Sequence, residues 1–198
     1  MPAKRPVKRP ASRLKDIPDA QMTPPQRALR DAIFAGPRGK RSTLNGPFAI
    51  WLHAPEFGNF AQALGAHCRF KTALPPRLSE FAILTTAHLW RAQYEWYAHT
   101  PMAERAGVTP RTISDLKAGR APKSAPKDER ALYDFIKELY RTRRVSDRAY
   151  ARVHAILGDA AMVEFVGILG YYTLISMTLN VFRAQVPEEA PLPFRERG

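Results

Sequence analysis

From Phe165 to Phe182 the chain runs eighteen residues without a formal charge, and no other feature limits its fold as strongly. A helix of that length either crosses a membrane or needs other protein to cover it. Gly167, Gly170, Thr173, Ser176, Thr178 and Asn180 keep the run only moderately apolar, while Glu164 and Arg183 close its ends. The expected place for it is therefore the centre of a helical bundle, with no membrane involved.

The segments upstream agree. In "KDERALYDFIKELYRTRRVS", Ala131, Leu132, Phe135, Ile136, Leu139 and Tyr140 recur at spacings of three and four, the period of an amphipathic helix. Thr23 predicts a cap, with Pro24 in the first helical position and Gly36 as the stop. "FAIWLHAPEFGNFAQALGAHCRF" has apolar residues at mixed helical spacing, interrupted at Pro55 and Gly58. A long run starts after Pro76, Ser146 opens a helix that ends at Gly158, and Asp159 opens the last one, closed by Pro187. No stretch alternates as a half-buried strand would. The fold class is all-α.

Charge divides the chain into an arm and a body. The net charge is +13, and "MPAKRPVKRPASRLK" holds six Lys or Arg, three Pro and no acid. Such a stretch buries too little apolar surface to offset chain entropy, which predicts a disordered basic arm over residues 1–20 and a single all-α domain over 21–198. The arm is a solvated tail or a tether to an anionic surface, and it lacks the apolar core of a secretory signal. Cys68 is the only cysteine. It excludes an internal disulfide and suits a reducing, cytoplasmic setting.

"AERAGVTPRTISDL" has the spacing of a helix-turn-helix: Ala103 small, Gly107 at the turn, and Val108, Ile113 and Leu116 as anchors. Thr109 would cap the second helix, and Arg111, Thr112 and Ser114 would face bases. The helical run before Gly107 is too long for such a domain, however, and any two packed helices joined by a glycine turn share the pattern. Nucleic acid is a disfavoured partner.

Glu95 and His99 stand four apart, on one face of a helix and within contact range. A carboxylate beside an imidazole raises the ring's basicity and fixes its orientation, as a general acid–base pair requires. Trp90, Tyr94, Trp96 and Tyr97 surround the pair with bulky surface suited to a core or to a pocket wall. His53, His67, His88, His99 and His154 show no ligand spacing that would hold a metal.

"LPPRLSEFAILTTAHLWRAQYEWYAH", "AGVTPRTISDL" and the late "LGYYTLISMTLNVF" together resemble the carboxymuconolactone decarboxylase superfamily, which includes the alkylhydroperoxidase D-like proteins. The resemblance runs from about Trp51 to Pro187 and implies a helical bundle assembling as homo-oligomers, trimers or hexamers. In the peroxidase branch a glutamate precedes a Cys-x-x-Cys pair and a histidine. Here the glutamate is Glu80 and the histidine His99, while Ala92 and Glu95 occupy the cysteine positions. Without a dithiol, thiol peroxidase chemistry has neither an attacking nor a resolving sulfur.

The "E-W-x-x-H" variant resembles the decarboxylase-like branch. It implies cofactor-free proton movement beside a carbonyl or carboxylate of a small organic acid or lactone. By that resemblance His99 is the general acid or base, Glu95 its partner and Glu80 a second proton carrier. Arg91, Trp96 and His53 are the candidate substrate-binding residues. The alternatives are a catalytically silent binding protein of the same fold and a helix-turn-helix protein. One geometric demand follows: on a straight helix Glu80 and Glu95 would lie about 22 Å apart, so the helix must break between about Ala87 and Ala92, or a second subunit must supply a partner.

Overall fold

A computed structural model describes residues 9–39 and 43–195. Among these residues it contains eight α-helices: α1 Pro24–Ala35, α2 Pro47–Trp51, α3 Pro55–Phe70, α4 Pro76–Trp90, α5 Gln93–Arg105, α6 Pro110–Lys117, α7 Lys127–Thr142 and α8 Asp147–Phe182. Proline supplies the first residue of α1, α2, α3, α4 and α6. There its missing N–H costs nothing, and its fixed φ already suits a helix. At α1 the Gln26 side chain accepts a 2.8 Å hydrogen bond from the Thr23 backbone N–H. Prolines and short polar caps thus set most of the helix starts.

The centre of the bundle is α4 rather than the last helix. Every residue from Leu78 to Ala87 is buried, so α4 is enclosed on all sides by α5, α7 and α8. α8 instead buries one face, from Ala149 and Val153 through Phe165, Leu169 and Tyr172 to Leu179. On that face Phe165 meets Phe135 of α7 with ring centroids 5.4 Å apart. Val163 is 74% exposed on the other face, and Val166, Met177 and Val181 are exposed beside it. By length and composition alone α8 could cross a membrane; Gly158 (φ 72°, ψ 178°) kinks it ahead of the charge-free run.

The chain termini are tied to this framework. From Arg9 onward the expected arm is docked. The Arg13 backbone N–H donates to the Phe182 carbonyl (3.1 Å), and the Arg9 guanidinium donates to carbonyls of the 186–190 segment. Hydrogen bonds to the open end of α8 anchor a stretch whose composition alone predicts disorder. The expectation for residues 1–8 lies outside the described residues. At the other end Phe194 is buried against Trp96, and Gln93 clamps it with bonds to its N–H and C=O.

Gly58 does not interrupt α3, contrary to the sequence expectation. It sits inside the helix because a Cβ there would fall 2.7 Å from Leu29 Cδ2 and 2.8 Å from Trp51 Cβ. Close approach of α1 and α2 to α3 is what the position requires. Gly58→Ala is expected to destabilise the fold by about 1–3 kcal/mol through overpacking. A urea titration checks this, and an unchanged midpoint would contradict the close fit.

Candidate active site

The chain reverses at Arg91. This residue takes the left-handed conformation (φ 51°, ψ 36°), its N–H donates to His88 O, and the Ala92 N–H donates to Ala87 O. The break falls where the two glutamates require it. It uses a non-glycine residue in a region that costs on the order of 1 kcal/mol, which is why no Gly or Pro marks it in the sequence. α5 then folds back along α4, and residues fifteen apart in sequence meet.

They meet at one imidazole. His99 Nδ1 lies 2.8 Å from Glu80 Oε2, and His99 Nε2 lies 3.1 Å from Glu95 Oε1. All three residues are buried. Glu80 forms a well-aligned hydrogen bond, whereas Glu95 Oε1 sits at ion-pair distance without hydrogen-bond alignment and has no other partner. Glu80 is therefore the group that orients the ring, while Glu95 faces the far nitrogen at ion-pair distance. Tyr172 of α8 packs its ring edge-on to the imidazole at 5.1 Å.

Burial pushes the Glu95 carboxyl up to about 7. The charge of Glu80 adds to that rise, while His99 and Arg69 oppose it. Burial alone would lower the proton affinity of His99, but the charges of Glu80 and Glu95 and the Glu80 hydrogen bond outweigh it and hold the imidazole above its ordinary value. Burial also raises the Tyr172 phenol well above its usual range, so it stays protonated at neutral pH. The cluster thus retains a transferable proton near neutrality, where general acid–base groups work best.

A cavity of about 70 Å³ opens on Glu95 and His99. Arg38, Arg69, Tyr94, Met102, Tyr171 and Tyr172 are among its lining residues. No carboxylate lies within ion-pair distance of Arg69 among the described residues. Its guanidinium lies over the Phe70 ring instead, 5.0 Å from the centroid. Tyr171 can stand in the wall because Gly65 of α3 faces it, and a Cβ at Gly65 would overlap the phenol.

The structure brings Glu80, Glu95 and His99 together but not the residues expected to bind substrate. Arg91 is drawn away from the cavity: it lies over the Phe194 ring and donates to the Arg195 carbonyl at 2.7 Å. Trp96 is core, edge-on to Phe194. His53 is exposed and contacts the Lys15 carbonyl at 3.1 Å. Arg38 and Arg69 hold the positions the sequence expectation gave to Arg91. For Arg69 a signal exists, since it follows Gly65 by four residues on the α3 face that meets α8. Arg38 lies in a loop and offers none.

The helix-turn-helix shape is real, and of the residues expected to face bases Arg111 and Ser114 are exposed while Thr112 is buried. Gly107 takes φ 98° and the Thr109 side chain caps α6 by accepting from Thr112 N, both as expected. Thr112 and Leu116 are fully buried, and Ile113 is buried beside them. Arg111 and Arg120 are both occupied by Asp115, at 3.5 and 2.8 Å. A helix packed on that side serves the bundle core.

A comparison with known protein families matches residues 55–138 to the Carboxymuconolactone decarboxylase family. The matched stretch contains Glu80, Glu95 and His99 and ends before Tyr172. No curated protein matches the chain. The lone cysteine, Cys68, is buried on α3.

The electrostatics fix a pH dependence. The folded-state pKa of Glu95 stands above its ordinary value of 4.5, so the folded chain binds more protons than the unfolded one over that interval. The stability is present at low pH and is lost as pH rises through about 7. The raised His99 acts in the same direction above its own ordinary value. Glu95→Gln keeps the shape and cannot ionise, so the decline in urea midpoint between pH 5 and 8 should be shallower in the variant. Parallel curves would contradict the raised carboxyl.

Proposed function

We propose, from the match of residues 55–138 to the carboxymuconolactone decarboxylase family, that the chain is an acid–base enzyme acting on a small organic acid, keto acid or lactone. The observation that carries this reading is the buried Glu80–His99–Glu95 array facing a cavity that two arginines also reach. Glu80 accepts the Nδ1 proton and fixes the ring. The proton exchanged with a carbon beside a carbonyl is one held by Nε2 or by Glu95. In a decarboxylation, cleavage of the C–C bond leaves its electron pair on that carbon or on the enolate oxygen, and the Glu95–His99 pair delivers the proton that quenches it. Arg69 and Arg38 offset the charge of the substrate's anionic oxygens.

The setting we propose is cytoplasmic, in keeping with a single reduced cysteine, and a second copy of the chain covers the open apolar face. Phe57, Phe60 and Leu64 on α3 are exposed, as are Val163, Val166, Met177 and Val181 on α8. Exposed apolar side chains on two packed helices suit an interface, and the family resemblance implies homo-oligomers. Light scattering should give a mass above the monomer's 22.3 kDa for the wild type, and Phe60→Glu with Val163→Glu should bring it to the monomer. A monomeric wild type at about 50 μM, far above the dissociation constants of stable oligomers, would refute the assembly.

Turnover of a panel of lactones and β-keto acids tests the chemistry. His99→Gln should lower kcat by about 10²- to 10⁴-fold, the usual worth of a general acid–base group. Arg69→Ala should act mainly on KM. If the folded wild type turns over none of the panel and binds small acids equally well with and without His99, the acid–base reading fails and a silent binding role replaces it.

A further inference from the structure

A second pocket lies on the far side of Tyr94 from the proton array, and it is walled by arginines. It has a volume of about 330 Å³, at the lower end of the range for small-molecule sites. Arg9, Arg91, Arg183 and Arg195 line it, with the aromatic surfaces of Trp90 and Tyr94, and no Asp or Glu is among its lining residues. Glu188 and Glu189, in the adjoining segment, are not among its lining residues. Tyr94 is the only side chain it shares with the cavity at His99.

Two of the four guanidinium groups are fixed by the protein and two are not. Arg9 donates to the carbonyls of Val186, Pro187 and Ala190 at 2.6–2.9 Å. Arg91 is held by the Arg195 carbonyl and the Phe194 ring. Arg183 and Arg195 are exposed, and their guanidinium groups have no hydrogen-bond or ion-pair partner among the described residues. The C-terminal ends of α4 and α8 both point here, with Arg91 and Arg183 as their left-handed caps. Each helix end contributes roughly half a negative charge, which leaves most of the four positive charges unbalanced. Four like charges on one concavity repel each other, and a ligand carrying two or more negative charges relieves that repulsion. A monocarboxylate would neutralise only one of them. Guanidinium forks match the several oxygens of a phosphate better than a point cation does.

We propose that this pocket binds a small phosphorylated or polyphosphate anion, distinct from the ligand of the His99 cavity. Arg9 and Arg91 form its rigid floor, and Arg183 and Arg195 close on the anion. The test is titration of the full chain with inorganic pyrophosphate at constant ionic strength, followed by calorimetry and tryptophan fluorescence. Because Arg183 holds φ 56°, it is replaced by Asn, which tolerates that conformation, and Arg195 by Ala. Saturable one-to-one binding is expected in the wild type. Arg183→Asn with Arg195→Ala should weaken it at least 10-fold with an unchanged circular dichroism spectrum, and Arg183→Lys should restore part of the loss. A control pair on the opposite side of the molecule, Arg141→Ala with Arg148→Ala, should leave it unaltered. Failure to saturate, or equal weakening by the control pair, would mean only general attraction to a strongly basic chain and would overturn the site.

Discussion

One imidazole clasped between two buried carboxylates is the interaction around which this bundle is built. Ionisable side chains resist burial, and three together are tolerated only if they share charge and protons among themselves. Glu80 contributes an aligned 2.8 Å hydrogen bond to His99, and Glu95 contributes a raised affinity for the proton on the other side of the ring. Removing any one would leave the others uncompensated in a site almost closed to water. The array is therefore both a structural obligation and a chemical resource.

The surrounding helices follow from that obligation. α4 must be enclosed for Glu80 to be shielded, and its burial from Leu78 to Ala87 supplies this. α5 must double back to return His99 to the level of Glu80, and the left-handed Arg91 provides the reversal. α8 closes the remaining side with Tyr171 and Tyr172, which Gly65 admits close to α3. Each of these devices is local, and together they hold one ring nitrogen toward a small cavity.

How much of this was legible in the sequence depends on the range of the interaction. Helix starts are local events, so Thr23–Pro24, Thr109–Pro110 and Ser146 marked them correctly. The apolar face of α7 was legible through its period. The Glu95–His99 pair was legible because four residues make one helical turn. Glu80 was reached by family resemblance alone, and the helix break was a demand that followed from it, since nothing in its spacing reveals a partner nineteen residues away. The sequence misled where burial depends on neighbours. The charge-free stretch of α8 read as the bundle centre, yet α4 holds that place, because helix order in space is set by packing that composition does not encode. Arg91 looked like a substrate ligand because it is near in sequence. A left-handed backbone aims it instead at Phe194, more than a hundred residues away.

The placement of the cations tunes the proton affinity of the site. Arg69 lowers the proton affinity of both Glu95 and His99, but it does so from beyond ion-pair distance. Had it paired directly with Glu95, the carboxylate would be locked in its charged form and the proton would leave the array. Held over the Phe70 ring instead, Arg69 leaves Glu95 poised near neutrality and still presents a charge to the cavity. An anionic group seated at Arg69 would cancel that pull and strengthen the hold of Glu95 and His99 on their proton. Binding of an anion at Arg69 and protonation of the array are thereby one linked electrostatic event. The same logic explains why the four arginines beyond Tyr94 stand apart from the array. Brought among its carboxylates, that much positive charge would hold them in their charged forms and release the proton of the array.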